Sequence, residues 1–160
     1  MPLIVRFPRE IKPGINGRDM VLNLDFAETF LDYAGVPAPA DMQGRSLRGV
    51  LRGDTPADWR QSVYYHYFEY PAVHSVKRHY GVRTRRYKLI HFYYDIDAWE
   101  LYDLERDPHE LRNVFADPSY SAVVRDMGAE LERLRRLYGD TDETRFLPVR
   151  RTGEPARDDD

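Results

Sequence analysis

Four β-rich runs crowd into residues 62–104: "SVYYHYFEY" (62–70), "HYGVRT" (79–84), "YKLIHFYY" (87–94) and "WELYDL" (99–104). Aromatic and β-branched residues dominate them. The links are short, and one is only the pair Arg85 and Arg86. Runs of this kind with short links predict an antiparallel meander, which constrains the fold more than any other feature. A polar connection, "ERDPHELRNVFADP", leads to the clearest helix, "SYSAVVRDMGAELERLRRLYGD". Tyr120, Val123, Val124, Met127, Leu131, Leu134 and Tyr138 fall on one face of it. Ser119 or Ser121 is expected to cap it, and Gly139 to end it. Glu132 and Arg136 are spaced to pair on the other side.

The N-terminal part reads differently. "PLIVRFP" (2–8) is a short apolar run closed by Pro8 and reads as a buried strand. "NLDFAETFLDYAGVP" reads as a helix with Asn23 or Asp25 as cap, Phe26, Phe30, Ala27, Leu31 and Ala34 at helical spacing, and Gly35 as its stop. "RSLRGVLRGD" predicts a second short helix ending at Gly53. The first strand and helix have no parallel partners elsewhere in the chain. They therefore read as the tail end of a larger α/β domain, although the chain taken alone is α+β. The expected division is 1–58 for this tail, 59–142 for a small antiparallel sheet with a packed C-terminal helix, and 143–160 for a polar, disordered end.

The chain has 160 residues, 42% hydrophobic and 32% charged, as expected of one ordinary soluble domain. No apolar run approaches the roughly 18 residues of a membrane span. "MPLIVRFPRE" is charged too soon for a signal peptide. There is no cysteine, hence no disulfide, thiolate nucleophile or Cys-bound zinc.

Between Tyr70 and Tyr94 stand six Lys or Arg and no Asp or Glu, while the whole chain has a net charge of −3. His74, His79 and His91 lie in the same window. A metal site, a nucleic-acid groove, the wall of an anionic-substrate pocket and a solvated basic face all come into question. A local positive patch in an acidic chain suits a small anionic ligand better than nucleic acid. For zinc, His74 and His79 have finger-like spacing, but there is no Cys pair and no His-Glu-x-x-His. A five-residue offset on a strand also turns the two rings to opposite faces. None of the five serines sits in Gly-x-Ser-x-Gly, and no Gly-rich phosphate loop is present. Asp95 and Asp97 read as a turn rather than an acid–base pair. The residues by themselves compose no complete active site.

"PLIVRFPREIKPG", "NLDFAETFLDYAGVPAPADMQGRSL", "GVRTRRYKLIHFYY" and "WELYDLERDPHELRNVFADP", in that order, resemble the C-terminal part of formylglycine-dependent sulfatases of the alkaline-phosphatase-like superfamily. The resemblance runs from about Pro2 to Gly139. It implies a parent activity of sulfate-ester hydrolysis on glycan or aryl sulfates, and an exported enzyme, periplasmic or extracellular. It also implies that the formylglycine, made from Cys or Ser in Cys/Ser-x-Pro-x-Arg, and the calcium ligands precede "PLIVR". This chain has neither a cysteine nor a serine followed two residues later by proline, so it is expected to bind no cofactor. It is expected to be a fragment or the product of a late-starting gene reading, with the N-terminal catalytic part as its partner and with no nucleic-acid or membrane partner. The resemblance further implies that loops of the C-terminal sheet complete the substrate pocket. His74, Lys77, Arg78, His79 and Arg83 are the candidate substrate-binding residues, because Arg grips sulfate or carboxylate with two bonds and His bonds sugar hydroxyls. Tyr65, Tyr67, Phe92 and Trp99 are expected in the core. Two alternatives accompany this reading: a related phosphodiesterase or phosphonate monoester hydrolase, and a non-catalytic module that binds anionic glycans.

Overall fold

The computed structural model describes residues 3–15, 17–70 and 73–143. Contacts group the chain into two compact units, 1–61 and 62–160. The tail expected to be disordered lies, from residue 144 onward, outside the described residues.

In the first unit, helix α1 (Asp25–Ala34) and short helix α2 (Arg48–Arg52) form where the sequence predicts them. Each ends on a glycine with positive φ, Gly35 at 69° and Gly53 at 83°, a conformation that a β-carbon disfavours. The expected cap is not found. Leu24 occupies the cap position, and Asp25 is the first helical residue, fully buried. Its carboxylate accepts from the Leu22 amide (2.7 Å), the Arg45 amide (3.0 Å) and both terminal nitrogens of Arg60 (2.5 and 2.6 Å). A buried anion is tolerated only when its lone pairs are matched in this way, so one side chain ties three stretches together. Leu47, Val50 and Trp59 make the small core of this unit.

Residues 3–7 form no strand, contrary to the sequence reading. A strand needs a hydrogen-bonding neighbour, and the described residues of this unit supply none. Ile4 is instead 90% exposed. Leu3, Ile4 and Val5 edge a groove of about 310 Å³, with Phe26, Phe30 and Tyr33 among its other walls.

The second unit is the expected meander. Strands β1 (Ser62–Tyr67), β2 (His79–Thr84), β3 (Tyr87–Phe92) and β4 (Ala98–Asp103) pair antiparallel in the order 1-2-3-4. Tyr67, His79, Phe92 and Ala98 are successive partners and form the last row at one end of the sheet. Helix α3 (Ser121–Leu137) covers one face. Tyr80, Val82, Leu89 and Leu101 meet Met127, Leu131 and Leu134 there. Alternation along the strands and helical spacing along α3 bring these residues to one layer.

One detail departs from expectation. Neither Ser119 nor Ser121 caps α3: Tyr120 occupies its cap position without a side-chain bond, and Asp117 caps instead the preceding 3-10 turn at Pro118–Tyr120, its carboxylate accepting from the Ser119 amide at 2.9 Å. Arg135, a charged residue four positions after Leu131, is buried with the apolar face of α3. Its guanidinium lies 4.1 Å from the Tyr80 ring centroid and donates to the Tyr80 hydroxyl (2.9 Å) and the Asp140 carbonyl (3.0 Å). On the outer edge of β4, the Asn113 amide accepts from the Leu101 amide and donates to the Trp99 carbonyl, both at 3.0 Å. The edge is thus closed by a side chain.

Candidate functional site

The end of the sheet marked by Tyr67, His79, Phe92 and Ala98 carries two connections, residues 68–78 between β1 and β2 and residues 93–97 between β3 and β4. Four of the five candidates, His74, Lys77, Arg78 and His79, lie here; Arg83 lies farther along β2.

Arg78 is only 1% exposed. Its guanidinium donates to Asp95 at 2.7 Å and to the Tyr70 carbonyl. It also lies 5.7 Å from the Tyr70 ring centroid and 5.5 Å from that of Tyr94. One buried cation therefore fastens both connections. Arg suits this role because its planar fork can bond two acceptors while stacking on rings. Lys77 bonds the Tyr70 hydroxyl, its ammonium 4.1 Å from that ring's centroid. His74 is exposed, next to Val73 at 92% exposure.

His79 and Arg83 alternate with Gly81 on the sheet face opposite α3. The ring of His79 stacks on Tyr67 (5.4 Å, 22° between planes) and contacts Phe92 (5.1 Å) and the edge of Tyr65 (5.8 Å). Its Nδ1 lies 2.8 Å from the Lys77 carbonyl, which can only accept, so Nδ1 carries a proton and Nε2 holds the lone pair of the neutral ring. Tyr65 folds over Gly81, where an added β-carbon would lie 2.6 Å from the phenol oxygen and 2.5 Å from the Leu89 carbonyl oxygen. Arg83 is exposed. Trp99 packs on the α3 side, stacked on His91 at 4.0 Å and 12°.

A second polar group, which the sequence did not announce, lies between sheet and helix. His66 Nδ1 donates to Asp140 (2.6 Å), its Nε2 accepts from the Tyr93 hydroxyl (2.5 Å), and Tyr64 donates to the same Asp140 oxygen (2.6 Å). Burial alone would raise the Asp140 carboxyl, but hydrogen bonds from Tyr64 and His66 outweigh it and hold it below the usual range. Burial pushes the Tyr93 phenol up to about 12. Such a group is suited to hold structure rather than to react, since its members bond one another. The pairing of Arg78 with Asp95 was equally hidden, because an aspartate in a turn carries no mark of a partner 17 residues away. Among the described residues no group of three or more His, Asp or Glu is placed to hold a metal ion.

Known proteins place this geometry in a family. The family described as "N-sulphoglucosamine sulphohydrolase, C-terminal" matches residues 1–137. An N-acetylglucosamine-6-O-sulfatase of Bacteroides thetaiotaomicron is 54% identical over 89% of the chain, which covers 26% of that protein. A solved structure in complex with its substrate, D-glucosamine-2-N,6-O-disulfate, superposes with a TM-score of 0.85 at 51% identity, over 89% of this chain and 29% of that one. The phosphonate monoester hydrolase of Agrobacterium radiobacter aligns with a TM-score of 0.60 at 28% identity, over 71% of this chain and 24% of that one. The chain thus spans about a quarter of the length of these relatives. It belongs to the N-sulphoglucosamine sulphohydrolase C-terminal family, as a C-terminal portion of the alkaline-phosphatase-like sulfatases.

Proposed function

We propose that this chain is the C-terminal portion of an exported sulfatase that removes sulfate from a glucosamine-type sugar, and that residues 73–83 form one wall of its substrate pocket. The observation that carries this is the 54% identity to an N-acetylglucosamine-6-O-sulfatase across nearly the whole chain. Hydrolysis of phosphonate esters is the lesser reading, supported at 28% identity.

In this proposal the chain binds and orients; it does not attack sulfur. Formylglycine cannot form in it, because it lacks the required motif. The nucleophile and calcium belong to the N-terminal portion of the enzyme. His74, Lys77 and Arg83 present hydrogen-bond donors and positive charge toward the anionic sugar, His79 offers the acceptor Nε2 to a sugar hydroxyl, and Arg78 holds their segment in place. The apolar groove bordered by Leu3, Val5, Phe26 and Phe30 is the surface against which the catalytic portion packs.

The test replaces the matching C-terminal quarter of the Bacteroides thetaiotaomicron relative with this chain. The chimera is expected to hydrolyse 6-O-sulfated N-acetylglucosamine. His74→Ala and Arg83→Ala are expected to lower turnover on the sugar more than on a small aryl sulfate. Equal losses on both substrates, or an inactive chimera that is folded, would refute the pocket-wall role.

A further inference from the structure

The connection between β3 and β4 holds a residue in an uncommon state. Tyr94 has φ 63°, in the left-handed region that a residue with a β-carbon seldom occupies. The residue is nevertheless 62% exposed, so burial does not compensate the strained backbone. What holds it is nearby. The guanidinium of Arg78 lies 5.5 Å from the ring centroid and bonds the carboxylate of Asp95, the next residue. The Asp95 amide in turn donates to the Tyr93 carbonyl at 2.7 Å, closing a tight turn around Tyr94.

Strain kept at an exposed aromatic residue points to a use for that ring. A tyrosine ring presents a negative π face, which attracts the C–H groups on the flat side of a pyranose. Arg78, buried and bonded on two sides, fixes the ring without covering most of it. The same Arg78 bonds the carbonyl of Tyr70, so the connection that bears His74 and Lys77 is fastened to the same post. Ring, histidine and ammonium are thereby presented from one end of the sheet.

We infer that Tyr94 is a stacking platform for the ring of the sulfated sugar and that Arg78 is the residue that positions it. This rests on the reading that residues 73–83 wall the substrate pocket, and it adds the β3–β4 turn to that wall. Arg78 touches no substrate; it acts through Tyr94 and through Tyr70.

The chimera described above tests this. Tyr94→Phe should keep the KM for 6-O-sulfated N-acetylglucosamine, because the ring and not the hydroxyl acts. Tyr94→Ala should raise that KM about two- to tenfold, the size of one lost aromatic contact, with kcat unchanged and with no change on a small aryl sulfate. Tyr94→Asn removes the ring while tolerating the left-handed backbone, so it should show the same KM effect with an unaltered melting temperature. Arg78→Lys keeps the charge but loses the fork, and should raise KM in the same substrate-selective way. The inference is overturned if Tyr94→Asn leaves KM unchanged, if Phe is as damaging as Ala, or if sugar and aryl sulfate suffer alike. The two readings fail separately. If His74→Ala and Arg83→Ala also leave the sugar kinetics untouched, the pocket wall itself is wrong; if they act and Tyr94→Asn does not, only the platform is wrong.

Discussion

Asp140 shows how much one carboxylate can organise. It receives the Tyr64 hydroxyl and His66 Nδ1 on one oxygen, while its backbone carbonyl receives Arg135. Its carboxyl is held below the ordinary aspartate range, because the hydrogen bonds from Tyr64 and His66 outweigh burial. A folded-state pKa below the unfolded one means that the charged form stabilises the fold. That contribution is fully present above about pH 4 and is lost as pH falls through the depressed folded value. Asp140→Asn removes the charge and is expected to cost about 1.5–3 kcal/mol at neutral pH, typical of hydrogen bonds to a charged group. Urea unfolding at pH 7 and at pH 3 checks it. The difference between the parent and Asp140→Asn should shrink at the lower pH; a constant difference would place the effect in packing instead. Asp25 plays the comparable part in the first unit, with Arg60 as its counter-charge.

At the scale of elements, the meander was readable because its evidence is local. Each strand is a short aromatic or β-branched run, and each link is too short for another topology. Helix α3 was readable because the helical spacing of Val123, Met127, Leu131, Leu134 and Tyr138 is kept over about four turns. The run "LIVRF" failed as a strand because apolar character alone does not make one; the edge must be paired. Gly81 gives the sheet a condition that no propensity scale records. Tyr65 lies across it, and a β-carbon there would meet the Leu89 carbonyl at 2.5 Å. Gly81→Ala is therefore expected to destabilise the second unit by about 1–3 kcal/mol, as overpacked interiors do, although alanine is normally no worse than glycine in a strand. A thermal melt of the variant, followed by far-ultraviolet circular dichroism, reads this directly. An unchanged melting temperature would mean that Tyr65 moves aside without loss.

Taken whole, the molecule under the proposed function supplies binding groups to a reaction centre carried by the N-terminal portion of the enzyme. It has cations, histidines and exposed rings at one end of a sheet, and an apolar groove bordered by Leu3, Val5, Phe26 and Phe30 in its first unit. The purified 160-residue chain is expected to hydrolyse no aryl sulfate, because no residue in it can become formylglycine. A fluorogenic aryl sulfate assay settles the point. Turnover that survives removal of trace sulfatase by repurification would contradict it.

The sequence by itself determined the strands, three helices, their glycine stops and the family, since each rests on short-range periodicity, on backbone rules or on ordered motifs. It also marked the basic window and its histidines. Only the tertiary structure decided what those residues do. It sank Arg78 between two turns, turned His79 into an aromatic cage, and left His74 and Arg83 in solvent. It also joined His66 to Asp140 across 74 residues. The physical reason is that charge and residue type are local properties, whereas burial, partner and orientation are set by whichever distant segments pack alongside.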